Sequence, residues 1–289
     1  MKKLILILFC FLFLSLFANA QKLEDDTSYL SDDEVEASLN YQTGIIELES
    51  GNATLTVPEG FEFLNKEQSR YVLEDLWGNP EDSSILGLLL PKGRGVLKEN
   101  SWVFVLSFDE MGYVKDDDAG DIDYDELLEE QQKENRDNNP ERIKMGYPPI
   151  EFVGWADAPY YDKDNKVLHW AKELKFGEDS LNTLNYNLRI LGRKGLFMLN
   201  AVASMNELPE VKAKVDDILL CIKFKEGHQY ADYIPDVDNV AAWTIGGLVA
   251  GKILAKAGLF VLIAKFWKII ALAVAAGGSA IWKYFRRND

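Results

Sequence analysis

Between residues 44 and 224 the chain follows two rhythms of apolar and polar positions. Short apolar or alternating runs set off by turn residues mark 44–57, 84–90, 102–108, 152–156, 167–174, 184–191 and 196–203 as strands. Ser50-Gly51-Asn52 turns the first stretch into a hairpin that Pro58-Glu59-Gly60 ends, and 192–195 turns the last pair. A longer period predicts helices. Asn65 caps one over 66–76, where Tyr71, Val72, Leu73 and Leu76 form an apolar stripe. Asp123 starts a charged helix to about residue 136, followed by a polar loop up to Pro149. A closing helix over 208–220 lines up Val211, Val215, Ile218 and Leu219. Together these predict an α+β domain, a mostly antiparallel sheet with helices packed on it.

Both ends depart from these rhythms. Residues 4–17 are almost wholly apolar behind Lys2 and Lys3, and Ala18-Asn19-Ala20 forms a small-x-small cleavage site. That predicts a signal peptide over 1–20. With the leader removed, Cys221 is the single cysteine and no intrachain disulfide can form, which suits a bacterial envelope protein. Three apolar stretches, 241–251, 257–264 and 269–282, follow near the C-terminus, broken only by lysines. They predict a membrane-associated segment over 241–285, as one transmembrane helix bounded by Trp267 and Trp282 or as a helical hairpin turning at 265–268. The expected layout is thus a leader (1–20), an exported domain (21–227), a linker (228–240), the membrane segment and a basic tail (286–289).

Charge sharpens this division. Residues 21–239 hold 22 basic and 46 acidic side chains, whereas 240–289 hold seven basic and one acidic. An acidic body with a basic, apolar end fits a solvated domain whose tail meets anionic lipid. The net charge of −16 argues against a nucleic-acid partner, and two histidines rule out a multi-histidine metal site. With 47% hydrophobic residues, the chain can bury a substantial core.

Candidate chemistry is sparse. Phosphate-loop, dinucleotide, serine-elbow and zincin patterns are absent, so neither a cofactor nor a catalytic set is expected. The acids between Asp116 and Glu126 suit Ca²⁺ or Mg²⁺ by type, but their spacing fits no EF-hand, and no metal site is assigned. Trp155, Tyr160, Asp162, His169, Trp170, Lys172 and Glu173 form an aromatic and charged group that can line a ligand pocket, with Arg193 as an anion contact. The same alternation also describes ordinary strand packing. Cys221, within an apolar run, reads as a buried small hydrophobe.

Several motifs resemble one family in order: Phe61-Glu-Phe-Leu-Asn, Leu76-Trp-Gly-Asn-Pro80, the run 107–118, Gly154-Trp155, Pro159-Tyr-Tyr-Asp162, His169-Trp-Ala-Lys-Glu-Leu174, Asn185-Tyr186 and Leu191-Gly-Arg193. The family is the bacterial, membrane-anchored domain of unknown function 2167. The resemblance implies a signal sequence, an extracytoplasmic (periplasmic) body and a C-terminal membrane segment, and it carries no reaction. The element order is also similar to Mog1/PsbP-like sandwiches. The expected function is a non-catalytic interaction or scaffold module of the cell envelope. It would touch lipid through its C-terminal segment, bind an envelope protein, and assemble with copies of itself through its C-terminal helices. The alternative is a ligand sensor or hydrolase using the region of Trp155, Asp162, His169 and Trp170.

Overall fold

A computed structural model describes residues 31–251 except 80, 99–100 and 244. The predicted leader and most of the predicted membrane segment, including any transmembrane helix or hairpin, lie outside the described residues. The chain divides into an N-terminal unit ending at Ser38 and a second unit from Leu39 onward. In the first, α1 (Asp32–Ser38) begins with three acids, as its dipole favours. Ser31 and Glu34 cap it reciprocally, the Ser31 amide donating to Glu34 Oε2 at 2.8 Å.

The second unit is built on an antiparallel seven-stranded sheet. Its strands are β3 (Phe61–Asn65), β4 (Ile85–Pro91), β5 (Val103–Asp109), β6 (Ile150–Asp162), β7 (Val167–Phe176), β8 (Thr183–Leu191) and β9 (Leu196–Ser204). Their spatial order is β3-β4-β5-β9-β8-β7-β6. A smaller sheet sets β1 (Ile45–Leu48), β2 (Ala53–Thr56) and β10 (Ile222–Phe224) side by side. The expected hairpin is present, with Leu48 opposite Ala53. Gly51 and Asn52, at φ 83° and 50°, turn it.

Alternation along the large sheet separates two faces. Phe104 and Leu106, Ala171, Leu184, Tyr186 and Leu188, and Phe197, Leu199 and Ala201 share one of them. Helix α4 (Leu208–Leu219) covers this face with Val211, Val215 and Ile218, beside the small sheet. Buried Cys221 sits in the same core, and burial pushes its thiol up to about 12.

The opposite face carries two separate apolar clusters. At the β3–β5 end, Val72, Leu73 and Trp77 pack on Leu88, Val103 and Val105. Asn65 caps this helix as expected, accepting from the Gln68 amide at 3.1 Å. It runs α-helically as α2 (Lys66–Arg70) and then widens to a π-helix over Tyr71–Leu76, where the Trp77 amide reaches back to Val72 O. At the other end, α3 (Tyr124–Lys144) and α5 (Ile245–Ala250) contribute Leu127, Ile245, Leu248 and Val249 against Leu168 and Trp170.

Three local expectations change. The helix capped by Asp123 continues beyond 136, through Pro140, to Lys144. Its polar residues there are not loop-forming: Asn139 exchanges two 2.8 Å hydrogen bonds with the Ile150 backbone, and Asn135 accepts from the Phe152 amide. These amides cover the outer edge of β6, which would otherwise be open to pairing. The run Phe61–Asn65 is a strand buried on both faces, and such a strand shows no alternation. The three-residue β10 is too short to carry a pattern.

Candidate functional site

The β6–β7 hairpin holds most of the side chains singled out from the sequence, and the pleat divides them. Tyr160 pairs with His169, Asp162 with Val167, and Gly154 with Glu173, placing Tyr160, Asp162, His169 and Glu173 on the α4 face. Trp155 pairs with Lys172, which puts Trp155, Trp170 and Lys172 on the other face, beneath α3. Arg193 lies in the β8–β9 turn. The aromatic group is therefore two groups with a sheet between them.

On the α4 face, Asp162 organises the hairpin turn. It accepts from the Asp164 and Asn165 amides and from the Asn165 side chain. The Asn165 bonds, backbone and side chain, hold its carboxyl below the usual range. Tyr160 is 57% exposed and meets His169 edge-on at 5.0 Å. Glu173 accepts from the Asn182 amide group. Farther in, Asp157 receives the hydroxyl of fully buried Tyr186 at 2.9 Å and Lys212 Nζ at 2.9 Å. His169 stands beside them with Nδ1 buried and without a hydrogen-bond partner among the described residues. Burial lowers its pKa against the pull of Asp157, Asp162 and Asp216.

On the other face, Lys172 bonds to Gln131 Oε1 and lies over the rings of Phe152 and Trp155, 5.1 and 5.9 Å from their centres. Trp155 Nε1 donates to Tyr124 O at 3.2 Å. Arg189, which the sequence does not distinguish from any turn-proximal charge, stacks on Trp170 at 5.0 Å.

Arg193 forms a two-pronged ion pair with Asp238, at 2.7 and 3.0 Å. That pair belongs to a strap. Gln229 bridges Gly192, Tyr230 is buried, Val240 bridges Tyr113, and the Ala241 amide reaches Tyr113 O. The predicted linker is thus stitched to the body along its length. The acidic loop serves the same strap. Asp118 accepts from the Ile245 and Gly246 amides at the start of α5, and Asp116 accepts from Tyr161 at 2.8 Å and Lys166 at 2.9 Å. Burial works to raise the Asp116 pKa, and the Lys166 and Tyr161 hydrogen bonds outweigh it, leaving it low. Among the described residues no group of three acidic, histidine or cysteine side chains is placed to hold a metal.

A cleft of about 340 Å³ opens where the β1–β2 turn meets the β8–β9 turn. Phe108 and Phe224 line it, and Glu49, Glu110, Lys194 and His228 supply its charged and polar rim. Glycine makes the close approach possible. A Cβ on Gly51 would stand 2.6 Å from Phe197 and one on Gly192 2.4 Å from Phe224. Its residues come from five distant segments, so the sequence does not bring them together.

A model of the family described as "Protein of unknown function (DUF2167)" matches residues 40–278. The chain belongs to that family. The DUF2167 match takes in the cleft, both faces of the β6–β7 hairpin and the strap. No curated protein matches this DUF2167 chain. The solved structures that are similar in part include three from different organisms. Cyanobacterial PsbP from Synechocystis sp. PCC 6803 has 8% identity and a TM-score of 0.36, covering 65% of this chain and 94% of its own. LpqN, described as involved in cell envelope biogenesis of Mycobacterium tuberculosis, has 13% identity and a TM-score of 0.28, covering 68% and 98%. The Saccharomyces cerevisiae Ran-binding protein Mog1p has 11% identity and a TM-score of 0.31, covering 64% and 96%. Likenesses of this size carry no argument about what the DUF2167 chain binds or does.

Proposed function

We propose that the chain is a membrane-tethered module of the bacterial envelope that works by binding rather than by catalysis. The export leader and the basic, apolar C-terminal segment support its location, both from sequence. The observation that carries the binding reading is the cleft. Its rim is polar, yet its serines and histidine form no relay. The Ser84 hydroxyl donates to Asp82 at 2.7 Å, and the His228 ring has no hydrogen-bond partner among the described residues. A lining that combines Phe108 and Phe224 with charged side chains suits a polar loop of a partner protein. A photo-crosslinking residue at Ser83, on the mouth, is expected to trap a distinct envelope protein in intact cells, whereas one at exposed Glu141 on α3 traps none. Recovery of monomer alone from both positions contradicts the reading.

A ligand sensor or hydrolase on the α4 face is the second reading, favoured by the unpartnered His169 Nδ1 beside Asp157. His169→Ala with every phenotype unchanged removes it.

A further inference from the structure

Between Tyr233 and Val240 the strap turns polar side chains toward the body and apolar ones outward. Asp238, paired with Arg193, keeps only 3% of its side chain exposed, while Val237 beside it is 71% exposed. Tyr233 stacks on Tyr113, while Ile234 beside it is exposed. Val240 forms a backbone bridge with Tyr113 and leaves its side chain exposed. Three of the ten exposed large hydrophobic side chains among the described residues thus fall within 234–240. Single apolar residues on a surface need no explanation, but a group of them on one exposed segment does.

The group is also compact. The Ile234 carbonyl accepts from the Val237 and Asp238 amides at 3.3 and 3.1 Å, so Ile234 and Val237 stand at the two ends of one turn, their Cα atoms within about 7 Å. Asp238 accepts from the Ile234 amide at 2.7 Å as well as from Arg193, so its carboxylate occupies the inner side of that turn. Asp236, at φ 64°, is the one exposed acid between Tyr233 and Trp243, and that stretch holds no lysine or arginine. Such a face suits an apolar interface better than a charged partner surface.

The position of the strap says which interface. It crosses one end of the large sheet: Gln229 bridges Gly192 in the β8–β9 turn, and Lys166 in the β6–β7 turn lies over the Tyr230 ring at 5.0 Å. From there the six residues of α5 bring the chain to Gly251, and Lys252 and Lys256 follow in sequence. Cations at that point suit lipid phosphates, and the apolar stretches 257–264 and 269–282 come directly after them.

We infer that Ile234, Val237 and Val240 lie against the bilayer at the level of the headgroups, turning the strap's end of the sheet toward the membrane. This rests on the tether read from the sequence and adds a second contact to it, made by the body itself. Asp236 keeps the contact shallow, because a carboxylate is costly below the headgroups.

The test uses the full chain reconstituted into phosphatidylcholine vesicles, with a photo-reactive diazirine residue at one position per variant. Only variants that keep the circular dichroism of the unmodified chain are compared. At Ile234, at Val237 or at both, the residue is expected to add the mass of one phosphatidylcholine molecule, as it does at Leu272 within the tether. Glu178 is exposed in the β7–β8 turn, at the opposite end of the ten-residue β7 and so about 30 Å away, and should gain no lipid. Lipid on Leu272 but on neither strap position overturns the inference and leaves the tether standing. Strap adducts to a second copy or to residues beyond Gly251, in place of lipid, do the same, as does equal labelling at Glu178. No lipid on Leu272 removes the tether, and the inference with it.

Discussion

Tyr186 shows how a single polar atom is handled inside this sheet. Its ring is fully buried among the residues of the α4 face, and its hydroxyl survives there because Asp157 accepts it at 2.9 Å. Tyr186→Phe removes a hydrogen bond to a charged group, and urea unfolding should show a loss of about 1–2 kcal/mol. The Asp157–Lys212 pair adds little, because Lys212 is half exposed. His169 makes a pH-dependent contribution. Its folded pKa lies below 6.5, so the folded protein keeps it neutral where the unfolded chain takes up a proton. Stability is therefore full above pH 6.5 and declines as pH falls toward the folded value. Asp116 and Asp162 add a second decline below about 4, since both are held low in the folded state. His169→Gln should flatten the unfolding midpoint just below pH 6.5 and leave the lower decline unchanged.

At the scale of elements, α3 protects the outer strand of the sheet with amides as well as with packing. Asn139→Ala strips both partners from the Ile150 backbone, at about 1–2 kcal/mol, and should speed hydrogen exchange at the Ile150 amide. The same helix marks where sequence reasoning stops. Strands over 84–90, 167–174, 184–191 and 196–203 were legible because each is a short, largely apolar run set off by turn residues or polar stretches, and each is largely buried. So were the caps at Asn65 and Asp123, whose side chains have few other uses at those positions. Residues 137–144 read as loop because asparagines and a proline lower helix propensity, and nothing local reveals that Asn139 serves a strand in a hairpin closed elsewhere. The β6–β7 ligand group was legible as residues but not as geometry. Its division follows from pairing register and from bulges near Gly154, Asp157 and Tyr160, which composition cannot place.

Across the whole molecule, the strap from His228 to α5 joins the body to the segment that the sequence assigns to the membrane. Tyr113 stacks on Tyr230 and Tyr233 at 4.5 and 4.0 Å, Arg193 pairs with Asp238, and Asp118 caps the start of α5. Asp118→Ala should leave the sheet intact and raise hydrogen exchange at the Ile245 and Gly246 amides. In the acidic run, to which the sequence assigns no metal site, Asp116 and Asp118 thus act as fastening for the chain's C-terminal side. Among the described residues no helix is long and apolar enough to cross a bilayer, and the proposed tether falls on residues beyond Gly251. Protease treatment of spheroplasts followed by membrane fractionation tests that tether most directly. The full chain should sediment with membranes, resist carbonate extraction, and lose its body to protease added outside. Recovery of an intact, protease-protected chain in the soluble cytoplasmic fraction would contradict the account.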